Sequence, residues 1–187
     1  MYLIRGQHNL KLFKSRHPNV LLSGTIGNFD GLHLGHQAIL EKIKNNAQKY
    51  NAKTIVFFTE PHAAEYFSKV RYKNQIPPPR ICPWREKFQL LKKSKIDFAC
   101  FLKFNSKLRT MSPDDFISQI LDSINLVSFT VGDDFRFGAG RKGDTDLLKN
   151  WGEKKGILVE NTETITLDGQ RVSSTRIREE LLNNNFN

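Results

Sequence analysis

Thr25-Ile26-Gly27-Asn28-Phe29-Asp30-Gly31-Leu32-His33-Leu34-Gly35-His36 joins an apolar run at 20–26 to a segment of helical periodicity at 37–50. A strand that breaks into a glycine-rich turn and re-emerges as a helix is the first half of a strand–helix–strand unit. The next apolar run, TIVFFT at 54–59, completes that unit. Gly27, Gly31 and Gly35 supply turn conformations and let a ligand approach the backbone. The N-terminus of the following helix offers unpaired N–H groups and a positive dipole end, so the junction is a place for a phosphate. His33 and His36, three residues apart, add side-chain donors.

Outward from this stretch the alternation continues. A helix is expected over 83–93 with Trp84, Phe88 and Leu91 inward, then a buried strand over 97–102. Ser112-Pro113-Asp114-Asp115 is a helix start, with a capping hydroxyl, proline at the first position and acids in the first turn, leading to Phe116, Ile117, Ile120, Leu121 and Ile124. A strand at 126–132, a helix at 144–155 and a strand at 157–160 follow. The period is that of an α/β, Rossmann-like, doubly wound parallel sheet. Two segments interrupt it. Residues 63–83, with Arg71, Lys73, Pro77-Pro78-Pro79 and Arg80, show no regular pattern and read as a long, mobile binding loop. Residues 164–172 read as a hairpin turning at Asp168-Gly169, before a last helix from Ser174.

The chain has 187 residues, 39% of them apolar, with 14 Phe, which excludes disordered, collagen-like and coiled-coil classes and suits one domain. No run approaches the roughly 20 apolar residues of a membrane span, and a soluble, cytoplasmic protein is expected. Cys82 and Cys100 are too few for a disulfide framework and lack zinc-site spacing; two free, half-buried thiols are expected. The formal charge of +10, from 29 Lys and Arg against 19 Asp and Glu, implies attraction to polyanions. Its lysines, among them Lys42, Lys44, Lys49, Lys53, Lys87, Lys92, Lys93 and Lys95, read as solvated helix faces, so neither a nucleic-acid nor a membrane partner is expected.

Three stretches carry candidate chemistry. His33-x-Gly35-His36 is a poor zinc site, having no third ligand at suitable spacing, and a good anion site at the carboxyl edge of an α/β sheet. In Val172-Ser173-Ser174-Thr175-Arg176-Ile177-Arg178, helix capping and phosphate binding are compatible. Ser174, Thr175 and the first amides can hold phosphate oxygens while Arg178, one turn on, adds a fork of charged donors, with Arg171 and Arg176 flanking. Residues 131–144 contain a formal G-x-G-x-x-G at Gly138, Gly140 and Gly143, with Glu160 placed for a ribose contact. In a dinucleotide site, however, the first glycine closes the strand itself, and here Asp133 to Phe137 intervene. The stretch reads instead as a ligand loop with Asp134 and Arg136 as polar contacts and Phe135 and Phe137 as core or stacking groups. No G-x-x-x-x-G-K-[ST] is present, which argues against a P-loop ATPase.

GNFDGLHLGH at 27–36, EPH at 60–62, Arg80, VGDDFRFGAGRKGD at 131–144 and SSTRIR at 173–178 together resemble the adenylyltransferase module of the prokaryotic FAD synthetases, which are usually fused to riboflavin kinase. The resemblance implies the nucleotidyltransferase fold and a reaction in which ATP, with Mg²⁺, and FMN give FAD and pyrophosphate. It implies catalytic roles for His33, His36 and Arg178. ATP contacts would come from Gly27, Asn28, Phe29, Asp30, Gly35, Arg171, Ser174, Thr175 and Arg176, and flavin contacts from Pro61, His62, Arg80, Asp134, Phe135 and Arg136. The family's F-E-P-H-P stands here as Thr59-Glu60-Pro61-His62-Ala63. The chain runs nine residues past Arg178, near where a kinase module would begin, so residues 1–187 are expected to be the adenylyltransferase domain alone, without riboflavin kinase activity. A nucleotidyltransferase with another phosphate acceptor is the nearest alternative, ahead of a nicotinamide oxidoreductase using Gly138 to Gly143.

Overall fold

The computed structural model describes residues 1–70 and 76–184. Six parallel strands form one sheet, β1 (Tyr2–Arg5), β2 (Leu22–Ile26), β3 (Lys53–Glu60), β4 (Phe98–Lys103), β5 (Leu126–Gly132) and β6 (Leu158–Thr162), in the order β1-β4-β3-β2-β5-β6. Helices α1 (Asn9–Arg16), α2 (Leu34–Lys49), α3 (Ala63–Val70), α4 (Trp84–Lys93), α5 (Ser106–Thr110), α6 (Pro113–Phe116), α7 (Thr145–Lys155) and α8 (Ser174–Leu182) connect and flank the strands, and a two-strand hairpin, β7 (Thr166–Leu167) with β8 (Gln170–Arg171), precedes α8.

The central strand β3 shows why the sheet must be covered twice. Ile55 and Phe57 point into one core, with Leu10, Phe13, Phe116, Ile120, Phe129, Leu148 and Trp151; Val56 and Phe58 point into the other, with Phe29, Leu40, Ile43, Leu91 and Ala99. A strand apolar on both faces is what a parallel sheet between two helical layers requires. From β2 the chain winds one way through β3 to β4, and from β5 the other way to β6, so the winding reverses between β2 and β5. That crevice, at the carboxyl ends of the strands, is where doubly wound sheets take their ligands. The N-terminus of α2 opens onto it.

The expected alternation and the hairpin are present. Asp168 and Gly169 both have positive φ, 54° and 74°, as a two-residue turn of type I′ needs. Several expectations are corrected. The strand and helix at the N-terminus, β1 and α1, were not foreseen, because a four-residue strand held by a single neighbour, β4, carries too short a pattern to read. Residues 63–70 form α3 rather than irregular loop. Its Tyr66 and Phe67 rings meet Phe104 edge-on at 5.3 and 5.9 Å, a tertiary contact that the proline-rich sequence downstream obscures. Arg71 and Lys73 lie outside the described residues. The helix after the glycine turn begins at Leu34, not Gln37, and the helix from Pro113 widens into a π turn over Ile117–Leu121. Trp84 is exposed rather than inward, both cysteines are buried rather than half-buried, and Lys87 is fully buried rather than solvated. Among the described residues no helix is long and apolar enough to cross a membrane.

Candidate active site

The first wall of the crevice is the turn between β2 and α2. Its backbone reverses through positive φ at Phe29, Gly31 and Leu32, and at Gly31 a Cβ would fall 2.8 Å from the Ile81 side chain. His33 is the residue that caps α2, its Nδ1 accepting the His36 backbone N–H at 3.4 Å, so its proton is on Nε2. The His33 and His36 rings stack with centroids 3.6 Å apart, and the Phe29 ring lies tilted against His36 at 5.0 Å. Gly35 permits this: a Cβ there would lie 3.3 Å from the His33 ring.

Burial, then the His33 and Lys87 charges, push the His36 pKa down to about 3; burial and the Arg171 charge lower that of His33. Both imidazoles are therefore neutral at pH 7. The buried Nδ1 of His36 has no partner among the described residues. An orphaned lone pair costs less than an orphaned N–H, which puts the His36 proton on Nε2 as well. The turn thus presents two neutral Nε2–H donors side by side.

The second wall is the start of α8. Ser173 caps it, accepting the Arg176 N–H at 3.2 Å, while the Ser174 hydroxyl donates to the Asp30 carbonyl at 3.0 Å. Arg178 donates from Nη2 to the Asp30 carboxylate at 2.6 Å and from Nε to the Pro79 carbonyl at 2.7 Å. The same carboxylate accepts the backbone N–H groups of Ile81 and Cys82 at 3.1 and 3.0 Å. Burial works to raise the Asp30 pKa, but the two amides and the His62 and Arg178 charges outweigh it and hold the carboxyl below its ordinary value. Asp30, at 1% exposure, is therefore the knot that ties together the turn before α2, the segment at 79–82 and the start of α8. Its carboxylate faces donors of the chain itself. The Nη1 of Arg178 and the exposed Thr175 hydroxyl have no partner among the described residues.

The flanking arginines have partners within the chain. Arg176 donates to the carbonyls of Leu167 and Gln170 and pairs with Glu180, which fastens the hairpin to α8. Arg171 pairs with Asp134 at 2.8 Å and Asp133 at 3.5 Å, and Thr164 donates its hydroxyl to Asp133. At the end of β3, Arg80 is held by Glu60 at 2.7 and 3.1 Å and by Glu65 at 2.5 and 2.6 Å, engaging Nε, Nη1 and Nη2 and pinning α3 to the sheet. Pro61 follows a cis peptide bond, and His62 beside it is buried. Among the described residues no three or more His, Cys, Asp or Glu gather to hold a metal ion. The crevice is instead lined by neutral N–H donors, hydroxyls and a guanidinium, a donor set for phosphate oxygens.

A family model described as FAD synthetase matches residues 15–176. The chain belongs to the FAD synthetase family. It is 38% identical over 187 residues to a protein of Escherichia coli (strain K12) named bifunctional riboflavin kinase/FMN adenylyltransferase, covering 100% of this chain and 57% of that one. A protein of the same name from Haemophilus influenzae is 38% identical over 190 residues, covering 100% and 58%. The chain thus spans a little over half the length of these relatives. A solved structure described as a macrolide-efflux protein from Streptococcus pneumoniae superposes with a TM-score of 0.81 at 22% identity, over 99% of this chain and 59% of that one, and shares the fold.

Within this FAD synthetase fold the stretch 131–144 does not form a dinucleotide turn. After β5 the backbone passes through a turn, bridges back on itself between Phe137 and Gly143, and encloses a 3₁₀ turn at Ala139–Arg141. Gly143 is there for packing: a Cβ would fall 2.7 Å from the Phe137 ring. Phe137 is buried and stacks on Phe135, so both serve the core, while Arg136 pairs with Asp144 at 3.4 Å. Glu160, the candidate ribose contact, is taken by Asn46 and Lys42. Sequence reading missed Lys87, which donates to the Asn28 carbonyl at 2.6 Å and lies 3.0 Å from His62 Nε2. Its place within the helical repeat of 83–93, four residues before the inward Leu91, was the available signal.

Proposed function

We propose that residues 1–187 transfer the adenylyl group of ATP to FMN, giving FAD and pyrophosphate. The observation that carries this is the meeting of two donor-bearing helix starts, His33 and His36 on α2 and Ser174 and Arg178 on α8, across the point where the sheet reverses, knotted by Asp30. One nucleoside triphosphate spans such a pair of walls. The Nε2–H groups of His33 and His36 donate to the phosphate oxygens that gain charge in the transition state, and the free Nη1 of Arg178, the Thr175 hydroxyl and the first amides of α8 take the outer phosphates.

The FMN phosphate oxygen attacks the α-phosphorus in line. A new P–O bond forms there, the bond to the oxygen bridging to the β-phosphate breaks, and pyrophosphate leaves with that electron pair. No proton need move, so the protein contributes position and charge compensation, and no nucleophilic side chain is required. Among the described residues no cluster of metal ligands gathers, and Mg²⁺ would come with ATP, on its phosphate oxygens. The flavin would lie on the β3 side, near Pro61 and His62. Beside Glu60 a pocket of about 320 Å³ lined by Trp84 and Phe101 offers aromatic surface to a planar ring. The charge of +10 would draw in both polyphosphate substrates.

The test is incubation with MgATP and FMN, and separately with other phosphate acceptors. FAD and pyrophosphate in equal amounts from FMN are expected. Pyrophosphate release that follows a different acceptor, with none from FMN, would move the chain to another branch of nucleotidyltransferases.

A further inference from the structure

Lys87, on the inner face of α4, is fully buried, which lysines avoid unless something holds the charge. Among the described residues it makes no salt bridge. Its ammonium donates to the Asn28 carbonyl at 2.6 Å, faces the His62 Nε2 at 3.0 Å and stands over the Phe58 ring, 5.2 Å from the centroid. Burial and the Arg80 charge lower its pKa, while Asp30 and Glu60 act to raise it. The lysine joins the two segments that carry the reading above: the glycine turn at Asn28, two residues from the Asp30 knot, and the Glu60-Pro61-His62 end of β3.

We propose that Lys87 is a positioning residue for adenylyl transfer, an ammonium that fixes His62 as the Nδ1–H tautomer and aims that donor at the phosphate-bearing acceptor. An ammonium has only donors, so the His62 nitrogen facing it must accept. The ring proton is then forced to Nδ1, which has no partner among the described residues and is free for a ligand. Burial lowers the His62 pKa, and the Lys87 and Arg80 charges lower it further, against Glu65 and Asp30, so the ring is a neutral donor. The hydrogen bond to Asn28 sets where the ammonium stands relative to the turn, so the acceptor-side histidine and the ATP-side histidines are placed from one point. This is second-sphere control of a tautomer, the service that carboxylates and carbonyls perform for other histidines.

The inference rests on the adenylyl-transfer reading only in its kinetic part, and the experiment keeps the two apart. In protein labelled with ¹⁵N-histidine, without substrates, long-range ¹H–¹⁵N correlation should show His62 with its proton on Nδ1. In Lys87→Met, checked for folding by circular dichroism, the signal should move to the other tautomer or to exchange between the two. In FAD formation, Lys87→Met should lower kcat by about tenfold to a hundredfold with the KM for ATP little changed. His62→Ala with Lys87→Met should be no slower than His62→Ala alone, and Lys87→Arg should restore part of the rate. A wild-type ring with its proton on Nε2, an unchanged tautomer in Lys87→Met, or additive losses in the double variant would each overturn the proposal. The wild-type spectrum decides it even if the variants do not fold. A wild type that makes no FAD would fail the functional reading and leave the tautomer result standing.

Discussion

Replacing Asp30 with Ala should do more damage than any exposed charge of this protein. The carboxylate is 1% exposed and holds three donors, the amides of Ile81 and Cys82 and the guanidinium of Arg178, whose side chain is 18% exposed. Removing one partner of a buried pair costs about 3–5 kcal/mol, and each amide left without an acceptor about 1–3 kcal/mol. Because Arg178 reaches water, the lower end of each applies, and a loss of about 5 kcal/mol is expected. For a chain of this size that is a drop of about 10–20 °C in Tm. Arg178→Met leaves Asp30 its two amides and should cost less, about 1–2 kcal/mol, and the double variant should be more stable than the sum of the single losses, with a coupling of about 1–2 kcal/mol. The pH dependence has a definite sign. The folded pKa of Asp30 is lowered, so its contribution is complete above the unfolded carboxyl value of about 4 and is lost as pH falls through the folded value. The stability gap between wild type and Asp30→Ala should be constant near neutrality and close below about pH 4. Denaturant unfolding of the four proteins measures all of this, and a coupling below about 0.5 kcal/mol would refute Asp30 as the knot.

His36→Ala should slow FAD formation by about a hundredfold, the value of one preorganised donor to a developing oxyanion, and near-normal turnover would remove the histidines from the mechanism. By NMR titration the His36 ring should stay neutral down to about pH 3; because the unfolded ring takes its proton near pH 6.5, His36 should make the protein progressively less stable as pH falls from there, and a folded pKa near 6.5 would contradict its burial. Gly35→Ala places a methyl 3.3 Å from the His33 ring while giving α2 a better helix former. Its Tm should hold or rise while transfer slows about tenfold or more, and equal losses in both would show that the glycine serves only the fold.

What could be read in the sequence was what repeats along it. The apolar runs of β2, β3, β4 and β5 and the helical face of α2 are local patterns, and with them came the sheet, its winding and the two histidines at its reversal. The Ser112 start and the Asp168-Gly169 turn were equally legible, because their chemistry lies within four residues. What could not be read was non-local. The resemblance gives Asp30 an ATP contact and Arg80 a flavin contact, but the partners that hold them, Ile81, Cys82 and Arg178 around Asp30 and Glu60 and Glu65 around Arg80, are set by the fold and not by the local sequence. Lys87 reads as one of many lysines, because nothing in its neighbours announces a carbonyl 59 positions away. Charged residues near the site thus turned out to be partners of one another, and the groups left free for a ligand are mostly neutral.

The most direct test is a structure with MgATP's slowly reacting analogue in which the bridging oxygen between the α- and β-phosphates is replaced. Phosphate oxygens within hydrogen-bond distance of His33 or His36 Nε2 and, in the same molecule, of Arg178 Nη1 or the first amides of α8 are predicted. A triphosphate held by the loop at 138–143, or touching only one of the two helix starts, would contradict the account.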